Sequence, residues 1–433
     1  MADDRIMERI YIKGDLLLTS PLIRGSGENE NTDIDIVRDW DGKPFIPGTS
    51  LAGAIRHYLC ENYRGGADLA DNLFGKRGKE SRQSLIVIHD AKLVSEEKIL
   101  VRDGVHLDYA TRTVVTDRQD SKYDYEILDT GQRFVFKIEA IRRNNSELKS
   151  EEIQPLIGKL LSCLRSGEIS VGAKTRRGYG RLQLENERLL VLDMSIPEDV
   201  EKWINFEWES FEGNKTIEEL DDGTYSPEEK AVAINVKFKI PYSILIRHYS
   251  EKEEYKDVDV SHIQSNDKSV IPGTSWNGAI RHAAYQILLD LDVDETNAKK
   301  LINEIFGFVD EKHKDAVASR LSVKESIIEN RPNLLKYTRN KVDRFTGGVV
   351  ETALFDEMPH YQGTVELDVR LKKEDEENDR WRLALIKMAL MDIVNGIQPV
   401  GGGANIGRGI LEIVEDIEIT DEEYQALKNK LEA

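Results

Sequence analysis

The sequence predicts an α+β fold made of two tandem domains, each with the element order β-α-β-β-α-β of a ferredoxin-like arrangement. The strongest observation is an internal repeat: residues 46–57 read IPGTSLAGAIRH, and residues 271–282 read IPGTSWNGAIRH. Ten of these twelve positions are identical, at an offset of 271 − 46 = 225 residues. Solenoid repeats have periods of roughly 20–50 residues, so this much longer period indicates duplicated domains.

Further landmarks return in the same order and support the duplication. Their offsets run only from 224 to 235, as small loop insertions would produce. The matched elements are residues 33–36 with 257–260, Phe74-Gly75 with Phe306-Gly307, Asp108 and Thr111 with Asp343 and Thr346, and Gly178 and Gly180 with Gly407 and Gly409. We therefore place the domains at residues 1–190 and 230–433, joined by an acidic linker at residues 191–229.

Each domain opens with a strand of alternating apolar residues, at 9–18 and 231–240. A polar Asp-x-Asp loop follows, then Pro-Gly-Thr-Ser and a helix. The expected N-cap residues of this helix are Thr49 or Ser50 in the first domain and Thr274 or Ser275 in the second. The remaining predicted elements are strands at 85–88, 133–140 and 363–371, helices at 153–164 and 381–394, and last strands at 181–184 and 410–413.

A long insertion lies at the same place in both domains, at residues 101–129 and 337–361. These segments are too long for simple turns. Long irregular insertions inside compact domains are more often functional than decorative.

Composition indicates a globular cytoplasmic protein, with 39% hydrophobic and 32% charged residues and no apolar run of membrane-span length. The N-terminal segment lacks the apolar core of a signal peptide. The two cysteines, Cys60 and Cys163, suit a reducing compartment without a disulfide framework.

The net charge of −20 argues against a generic nucleic-acid coat. The acid is concentrated at residues 197–229, 374–379 and the C-terminal tail, so we expect basic residues to gather on a separate face.

The helix after Pro-Gly-Thr-Ser is a candidate anion site, because the N–H groups at a helix N-terminus carry partial positive charge. Arg56 and Arg281 lie about two turns into the two helices, at the same offset of 225 residues. Two interpretations stay open at this point. Either helix end and arginine bind phosphate together, or the arginine makes a structural ion pair on an ordinary helix.

The glycine-rich loop at residues 171–181 reads VGAKTRRGYGR and leads into a strand, unlike a Walker loop. Glycines allow positive φ and a close approach of the backbone to a ligand. The expected phosphate contacts are Lys174, Arg176, Arg177 and Arg181. Tyr179 is expected to stack on a base. The second copy, VGGGANIGRGI at residues 400–410, keeps the glycines but has lost most of the charge, so that Arg408 remains as its expected RNA contact.

Two paired carboxylates precede each helix, Asp33 with Asp35 and Asp257 with Asp259. In an extended stretch the members of a pair point to the same side. Such a pair at Asp33 and Asp35 can hold Mg²⁺, and the metal could polarise a phosphate or activate a nucleophile. The alternative is a solvated acidic loop.

Together these motifs resemble the RAMP superfamily (repeat-associated mysterious proteins), specifically the backbone subunits of type III CRISPR effector complexes. The resemblance covers nearly all of both halves, and the chain looks like a fusion of two such subunits, as in type III-D-like systems. The matching motifs are IPGTSxxGxIR ending at Arg56, Leu73-Phe74-Gly75, Asp108-x-x-Thr111 and Gly178-Tyr179-Gly180-Arg181.

The resemblance implies a guide CRISPR RNA, a complementary target RNA and other CRISPR effector subunits as partners, with no membrane. It implies that the glycine loop and first helix grip the guide and that each long insertion is a hairpin thumb entering the guide–target duplex. It also implies that a loop aspartate cleaves the target with Mg²⁺ or another divalent cation. Spacing places Asp33 at that position, with Asp35 next; the counterparts are Asp257 and Asp259. The weaker second glycine loop makes cleavage by the second domain the less expected of the two.

Three other functions stay open. The chain could be an RNA-binding scaffold whose complex cleaves with another subunit. It could be a metal-independent guide-processing RNase using His57, the histidine that follows Arg56 and returns as His282. It could also be a duplicated ferredoxin-like protein that binds no RNA.

Overall fold

The structure is a computed structural model that describes residues 4–27, 32–78, 81–108, 110–114, 122–249, 258–310, 315–329 and 333–432. The chain forms two compact units, each mixing helices and strands, which confirms the α+β prediction. The first unit comprises Met1–Leu100, Glu126–Thr175 and Tyr179–Lys230. The second comprises Val101–Tyr125, Arg176–Gly178 and Ala231–Ala433. The second unit therefore includes two segments from the first half of the sequence.

The first half of the chain supplies eight strands and five helices to the described residues. The strands are β1 (Ile6–Leu18), β2 (Phe45–Ile46), β3 (Ile86–Ile88), β4 (Ala91–Lys92), β5 (Ile99–Val105), β6 (Lys122–Leu128), β7 (Arg133–Arg143) and β8 (Leu182–Asp193). The helices are α1 (Gly48–Asn62), α2 (Gly66–Phe74), α3 (Ser150–Arg165), α4 (Pro197–Ile204) and α5 (Ile217–Leu220).

The main sheet of the first unit has the strand order β3-β7-β1-β8, with antiparallel pairing throughout. Alternation along β1 sends Ile10 and Ile12 into the core and Arg9 and Lys13 to the other face. The core on the inner face also takes the apolar residues of α1 and α3. One helix therefore lies between the first two strands of the sheet in chain order, and the other lies between the last two.

The acidic segment predicted as a linker has a defined position on the first unit. Its aromatic residues cover the outer face of the sheet, where Phe206 stacks on Tyr11 with ring centroids 3.8 Å apart. Glu209 bridges the ammonium groups of Lys13 and Lys137. The segment buries apolar surface of β1 and β8 that water would otherwise contact.

The second half supplies fifteen strands and four helices to the described residues. The strands are β9 (Ala231–Lys239), β10 (Ser243–Ile244), β11 (Arg247–His248), β12 (Val260–His262), β13 (Gln264–Ser265), β14 (Lys268–Ile271), β15 (Phe308–Asp310), β16 (Asp315–Val317), β17 (Leu321–Val323), β18 (Ser326–Glu329), β19 (Tyr337–Val342), β20 (Val349–Met358), β21 (His360–Tyr361), β22 (Thr364–Lys372) and β23 (Glu412–Ile413). The helices are α6 (Gly273–Asp290), α7 (Glu295–Phe306), α8 (Glu376–Val394) and α9 (Asp421–Glu432).

The largest sheet of the second unit has the order β13-β14-β18-β22-β9-β23, with β17 also paired to β22. Its core is filled by α6 and α8, whose Trp276 and Trp381 are almost completely buried. A second sheet has the order β11-β12-β20-β19. The predicted long insertions are hairpins in both halves, β5–β6 and β19–β20, although residues 109 and 115–121 lie outside the described residues.

The predicted N-caps of the two Pro-Gly-Thr-Ser helices are wrong. Each helix begins two or three residues earlier than predicted, at Gly48 and Gly273, with Pro47 and Pro272 as the caps. Because the proline sets φ near −60°, the chain enters the helix without needing a side-chain cap. Thr49, Ser50, Thr274 and Ser275 instead lie in the first helical turn. No helix among the described residues is both long enough and apolar enough to span a bilayer.

The second unit contains two buried histidines whose rings lie 5.8 Å apart, His262 and His360. The Ile246 N–H donates to His262 Nδ1, so the proton is on Nε2, which donates to the Val270 carbonyl oxygen over 3.1 Å. Burial, together with His360, lowers the pKa of His262 to about 3. The pKa of His360 is also lowered, again by burial. Both rings are therefore neutral in the folded unit.

This pair predicts that acid destabilises the second unit. In the unfolded chain His262 takes up a proton below about pH 6.5, whereas in the folded unit it stays neutral down to about pH 3. The free energy of unfolding therefore falls as the pH falls through this window. We expect a loss of roughly 2 kcal/mol from this group between pH 7 and pH 5. Urea unfolding at both pH values measures it. His262→Gln should flatten the pH dependence. Equal slopes in wild type and His262→Gln would contradict the assignment.

Candidate nucleic-acid interface and catalytic loop

The glycine-rich loop of the first unit is tied to the chain that leaves β1. The Ala173 N–H donates to the Ile23 carbonyl oxygen over 2.9 Å, and the Gly180 N–H donates to the Pro21 carbonyl oxygen over 2.7 Å. At Gly180 a Cβ would lie 1.8 Å from the Val171 carbonyl oxygen, and φ is +74°. Only glycine allows this crossing without displacing the backbone.

The second copy repeats the same bonds with different residues. Gly402 binds the Leu245 carbonyl oxygen over 2.8 Å, and Gly409 binds the Ser243 carbonyl oxygen over 2.8 Å. A Cβ at Gly409 would lie 2.1 Å from the Val400 carbonyl oxygen. The recurring glycines of the sequence therefore correspond to a recurring backbone geometry.

A cavity of about 430 Å³ lies in the first unit between the glycine loop and α1. We call it the loop–helix cavity; its lining includes Arg24, Ser50, His57, Gly172 and Ala173. The Arg24 guanidinium donates from Nε to Ser50 Oγ over 3.0 Å and from Nη1 to the Gly25 carbonyl oxygen. The cavity thus offers one arginine, a hydroxyl and an exposed imidazole, a set suited to a phosphate group.

Sequence reasoning missed the arginine of this cavity. The tripeptide Leu-Ile-Arg ends at Arg24 and returns ending at Arg247, which was a usable signal. In the second unit the Arg247 Nε lies 3.4 Å from the Cβ position of Gly402. Both copies therefore hold an arginine beside the glycine loop. Relative to the carbonyl that this loop binds, Arg247 lies one residue further along the chain than Arg24.

The start of α1 is not an open anion site, because the Asp90 carboxylate accepts the Gly48 N–H over 2.7 Å. Arg56, predicted to bind phosphate, forms an ion pair with Asp71 on α2. Arg56 therefore holds α1 to α2, which is the structural ion pair that the sequence left open. Thr49 is exposed and Ser50 half-buried at this helix start.

Lys174 adopts a left-handed backbone conformation, with φ of +55°. The second copy has Gly403 at this position, with φ of +81°. A lysine in this region costs about 1 kcal/mol or more relative to glycine, so its presence here points to a use for its side chain. The geometry is compatible with the predicted phosphate contact.

In the second unit, Arg177 is affected by the positive charge of Arg281. Burial and the neighbouring charges of Arg281 and Arg176 lower the pKa of Arg177 to about 10. Its Nη1 is buried and has no hydrogen-bond partner among the described residues. Arg281 donates to Asn303 over 3.2 Å and lies over the Phe306 ring. A guanidinium that has a buried nitrogen without a partner and a second positive charge acting on it favours a bound anion.

The remaining loop residues differ in how well they fit their predicted roles. Tyr179 is 2% exposed, which does not fit stacking on a base. Arg408 is buried in an ion pair with Glu357 at 2.6 Å, which does not fit an RNA contact. Arg176 and Arg181 are half-buried, and the Arg181 N–H donates to Ser20 Oγ. Thr274 and Ser275 are half-buried in the first turn of α6.

Equivalent backbone bonds show which residues of the two acidic loops correspond to each other. In the first unit the Val37 N–H donates to the Arg24 carbonyl oxygen over 2.9 Å. The matching bond of the second unit joins the Ile263 N–H to the Ile246 carbonyl oxygen over 3.0 Å. The two bonds are equivalent, because in each unit the accepting carbonyl belongs to the residue that directly follows the one bound by the glycine loop.

This register pairs Asp33 with Asp259, since 37 − 33 = 263 − 259 = 4 residues separate each from its donor. The repeated letters had instead paired Asp33 with Asp257, which lies outside the described residues. The structural counterpart of Asp35 is Ser261. A carboxylate therefore recurs at only one of the two predicted positions.

Asp33 and Asp35 do not point to the same side. Asp33 is exposed, whereas Asp35 is 8% exposed and accepts from both the N–H and the hydroxyl of Thr32 over 2.8 Å. The loop is not a regular strand here, so the alternation rule fails. Asp259 is exposed, and its Oδ2 accepts the Asp356 N–H over 2.8 Å. A two-carboxylate Mg²⁺ site does not fit Asp33 and Asp35; one carboxylate from Asp33, completed by waters and phosphate oxygens, does.

The tips of the two hairpins share an aspartate-centred turn but differ in exposure. Asp108 accepts the Thr111 N–H, and Asp343 accepts the Thr346 N–H, each over 2.8 Å. Ala110 at the first tip packs on the core of the second unit, while Phe345 at the second tip is 99% exposed. Within the second unit, Arg102 of β5 also forms a buried ion pair with Glu325 at 2.8 Å.

Gly180→Ala should destabilise the first unit by about 2–4 kcal/mol, because the added Cβ meets a carbonyl oxygen and φ is positive. Gly53→Ala is the matched control, since its Cβ would meet nothing within 4 Å on α1. We expect that control to be neutral or stabilising by up to about 1 kcal/mol. Urea unfolding measures both, and comparable stability of the two variants would refute the role of the crossing.

Arg177→Met should weaken RNA binding about five- to twenty-fold and lower the salt dependence by roughly one released counterion. The same change should leave the free energy of unfolding unchanged or raise it by about 1 kcal/mol, because an incompletely paired buried charge is removed. Arg408→Met should instead leave RNA binding unchanged and lower the free energy of unfolding, because Glu357 stays buried and loses a partner. Binding in a salt series and urea unfolding separate the two effects; destabilisation by Arg177→Met with unchanged binding would make Arg177 structural.

Comparison with known proteins finds two kinds of similarity. Chaperonin GroEL 1 of Prochlorococcus marinus strain MIT 9215 is 24% identical over 184 residues, covering 39% of this chain and 32% of that protein. Chaperonin GroEL 1 of strain MIT 9301 is 27% identical over the same coverage. The chain thus spans about a third of the length of these curated relatives. Identity this low over this share of the chain carries no conclusion about fold or function.

The sequence model of the RAMP superfamily matches two regions, residues 15–183 and 235–412. These regions contain both glycine loops, both Pro-Gly-Thr-Ser helices and both exposed loop aspartates, and they cover most of the chain. The backbone bonds that recur at the two glycine loops fall one set in each matched region. This chain therefore belongs to the RAMP superfamily and carries two copies of its domain in tandem.

Proposed function

We propose that this protein is a guide-RNA-binding backbone subunit of a type III CRISPR effector complex and cleaves the complementary target RNA. The RAMP superfamily supports the coarser part, a CRISPR-associated RNA-binding subunit. The observation that carries RNA binding is Arg177, whose Nη1 is buried without a hydrogen-bond partner among the described residues and whose charge is opposed by that of Arg281. A guide phosphate is the anion that fits this family.

The fold supports the same proposal. In the first unit the strand order β3-β7-β1-β8, with α1 and α3 in the crossovers, is compatible with a ferredoxin-like domain. The loop–helix cavity would then take the guide backbone through Arg24 and Ser50, with Lys174 at its edge. The hairpins β5–β6 and β19–β20 would be the thumbs that enter the duplex.

Cleavage of RNA needs little covalent machinery, because the substrate carries its own nucleophile. The 2′-hydroxyl oxygen attacks the adjacent phosphorus, the bond to the 5′-oxygen breaks, and the proton lost by the 2′-hydroxyl is balanced by one gained at the 5′-oxygen. The protein must hold these atoms in line and stabilise the developing charge. A target nucleotide displaced from the duplex by a thumb would reach this geometry more easily.

Asp33 is the carboxylate that we assign to this step in the first unit, and Asp259 in the second. Both are exposed and occupy the same backbone register, whereas Asp35 is committed to Thr32. Asp33 would hold Mg²⁺ together with waters and phosphate oxygens, and the bound cation supplies charge stabilisation. Base pairing would select the target, while the protein reads backbone shape.

The test uses the guide-loaded complex with end-labelled complementary RNA, in Mg²⁺ or EDTA. We expect discrete cuts that need Mg²⁺; Asp33→Ala should abolish one set and Asp259→Ala the other, each by more than about 100-fold. Asp257→Ala is the matched control for the second unit and should still cut. The proposal fails if the double variant Asp33→Ala with Asp259→Ala still cuts at the wild-type rate.

Two other outcomes identify the alternatives. Protection of RNA without a metal-dependent cut in wild type would make the chain a non-catalytic scaffold. Because the exposed His57 lines the loop–helix cavity, a guide-processing activity also has a structural basis. Cleavage of repeat RNA by the isolated protein in EDTA, lost in His57→Ala, would assign that activity.

A further inference from the structure

One exposed aromatic residue in the first unit takes no part in the fold. Trp40 is 90% exposed, on a turn that joins the Asp33 loop to the Pro-Gly-Thr-Ser helix. Tryptophan is usually highly buried on average, so a ring held almost entirely in water is unusual. Among the described residues from 32 to 50, no other large hydrophobic side chain is exposed.

The turn that carries Trp40 is braced by several hydrogen bonds. The Gly42 N–H donates to the Asp39 carbonyl oxygen over 3.0 Å, and the Asp39 N–H donates to the Lys43 carbonyl oxygen over 2.8 Å. The Asp39 carboxylate accepts the Lys43 N–H over 3.0 Å. Arg38 donates to the Gly42 carbonyl oxygen and pairs with Glu97, each over 2.8 Å. The backbone under the tryptophan is therefore set before any ligand binds, which lowers the entropy lost on binding.

The second unit shows that the fold does not need this residue. There the same connection is a two-residue turn between β13 and β14, made by Asn266 and Asp267 with φ of +46° and +60°. The shorter turn carries no aromatic side chain. Trp40 is thus present in the first copy alone, on the turn that follows the Asp33 loop.

We propose that Trp40 stacks on an unpaired base of the bound RNA strand beside the Asp33 loop and so positions that strand. The inference rests on the proposed RNA-binding function. Base stacking needs one accessible aromatic face with cations close by, and it accepts any base. Lys43 on the turn and Lys92 near Asp39 supply positive charge.

A protein partner fits this position less well. Hot-spot tryptophans of protein interfaces lie in a dry patch surrounded by other apolar contacts. The neighbours of Trp40 on its turn are Arg38, Asp39, Asp41 and Lys43, all polar and charged. An accessible ring with lysines close by fits base stacking better than it fits such an interface.

The experiment compares Trp40→Ala and Trp40→Phe in the guide-loaded complex, using complementary RNA that carries 2-aminopurine beside each cut. Tyr424→Ala is the matched control, because Tyr424 is also exposed but lies on α9. We expect Trp40→Ala to weaken target binding about ten-fold and to restore the fluorescence of one 2-aminopurine. Trp40→Phe should keep most of the affinity and quenching, KM should change more than kcat, and the control should match wild type.

Each outcome decides the inference separately from the proposed function. Wild-type affinity and unchanged fluorescence in Trp40→Ala would overturn it while leaving guided cleavage intact. Loss of a protein subunit from the Trp40→Ala complex in native mass spectrometry, with unchanged fluorescence, would overturn it in favour of a protein contact. Loss of quenching in a complex that binds RNA but does not cut would support stacking although the nuclease assignment had failed. Absence of RNA binding in wild type would overturn both.

Discussion

The close crossing of backbone at Gly180, and again at Gly409, is the constraint on which the rest of each repeat depends. A Cβ at either position would lie within about 2 Å of a carbonyl oxygen, so the two backbone segments can approach only through glycine. The crossing brings the loop N–H groups to the chain that leaves the first strand of each repeat. Those bonds hold an otherwise irregular loop in one conformation, and they place Arg24 and Arg247 beside it. The candidate interface is therefore a consequence of backbone packing, and its side chains are additions to a geometry that both copies share.

The strongly negative net charge is compatible with RNA binding, because net charge and local charge are different quantities. Many basic side chains are neutralised within the protein, as Arg56 is by Asp71 and Arg408 by Glu357. Arg177 is different, since the charges that lower its pKa are those of Arg281 and Arg176, and one of its nitrogens is buried without a partner among the described residues. A half-buried guanidinium with one buried and unpaired nitrogen is costly in the absence of a ligand. That cost distinguishes Arg177 from Arg56 and Arg408, whose charges are paired.

The two copies have diverged where they would meet ligands and have stayed alike where they fold. The bonds of the glycine loop are the same within about 0.1 Å between the copies. By contrast, Lys174 of the first copy corresponds to Gly403 of the second, and the turn with Trp40 is replaced by Asn266 and Asp267. The two hairpin tips also differ, since one is packed on the second unit and the other is exposed. Duplication therefore preserved a scaffold, and each copy acquired its own surface.

The sequence by itself determined the duplication, the α+β class and the approximate positions of the main helices and strands. Identical letters at a long offset, alternation in strands and the Pro-Gly start of the helices are local signals. It also located the glycine loops, because positive φ and close approach require that residue. Only the tertiary structure decided which polar side chains are available. Asp33 and Asp35 look equivalent as letters, yet one is exposed and the other is buried against Thr32. Tyr179 and Arg408 likewise looked like surface contacts and are buried. Burial and hydrogen-bond partners come from segments far apart in the chain, such as Arg408 and Glu357, and local patterns carry no information about those meetings.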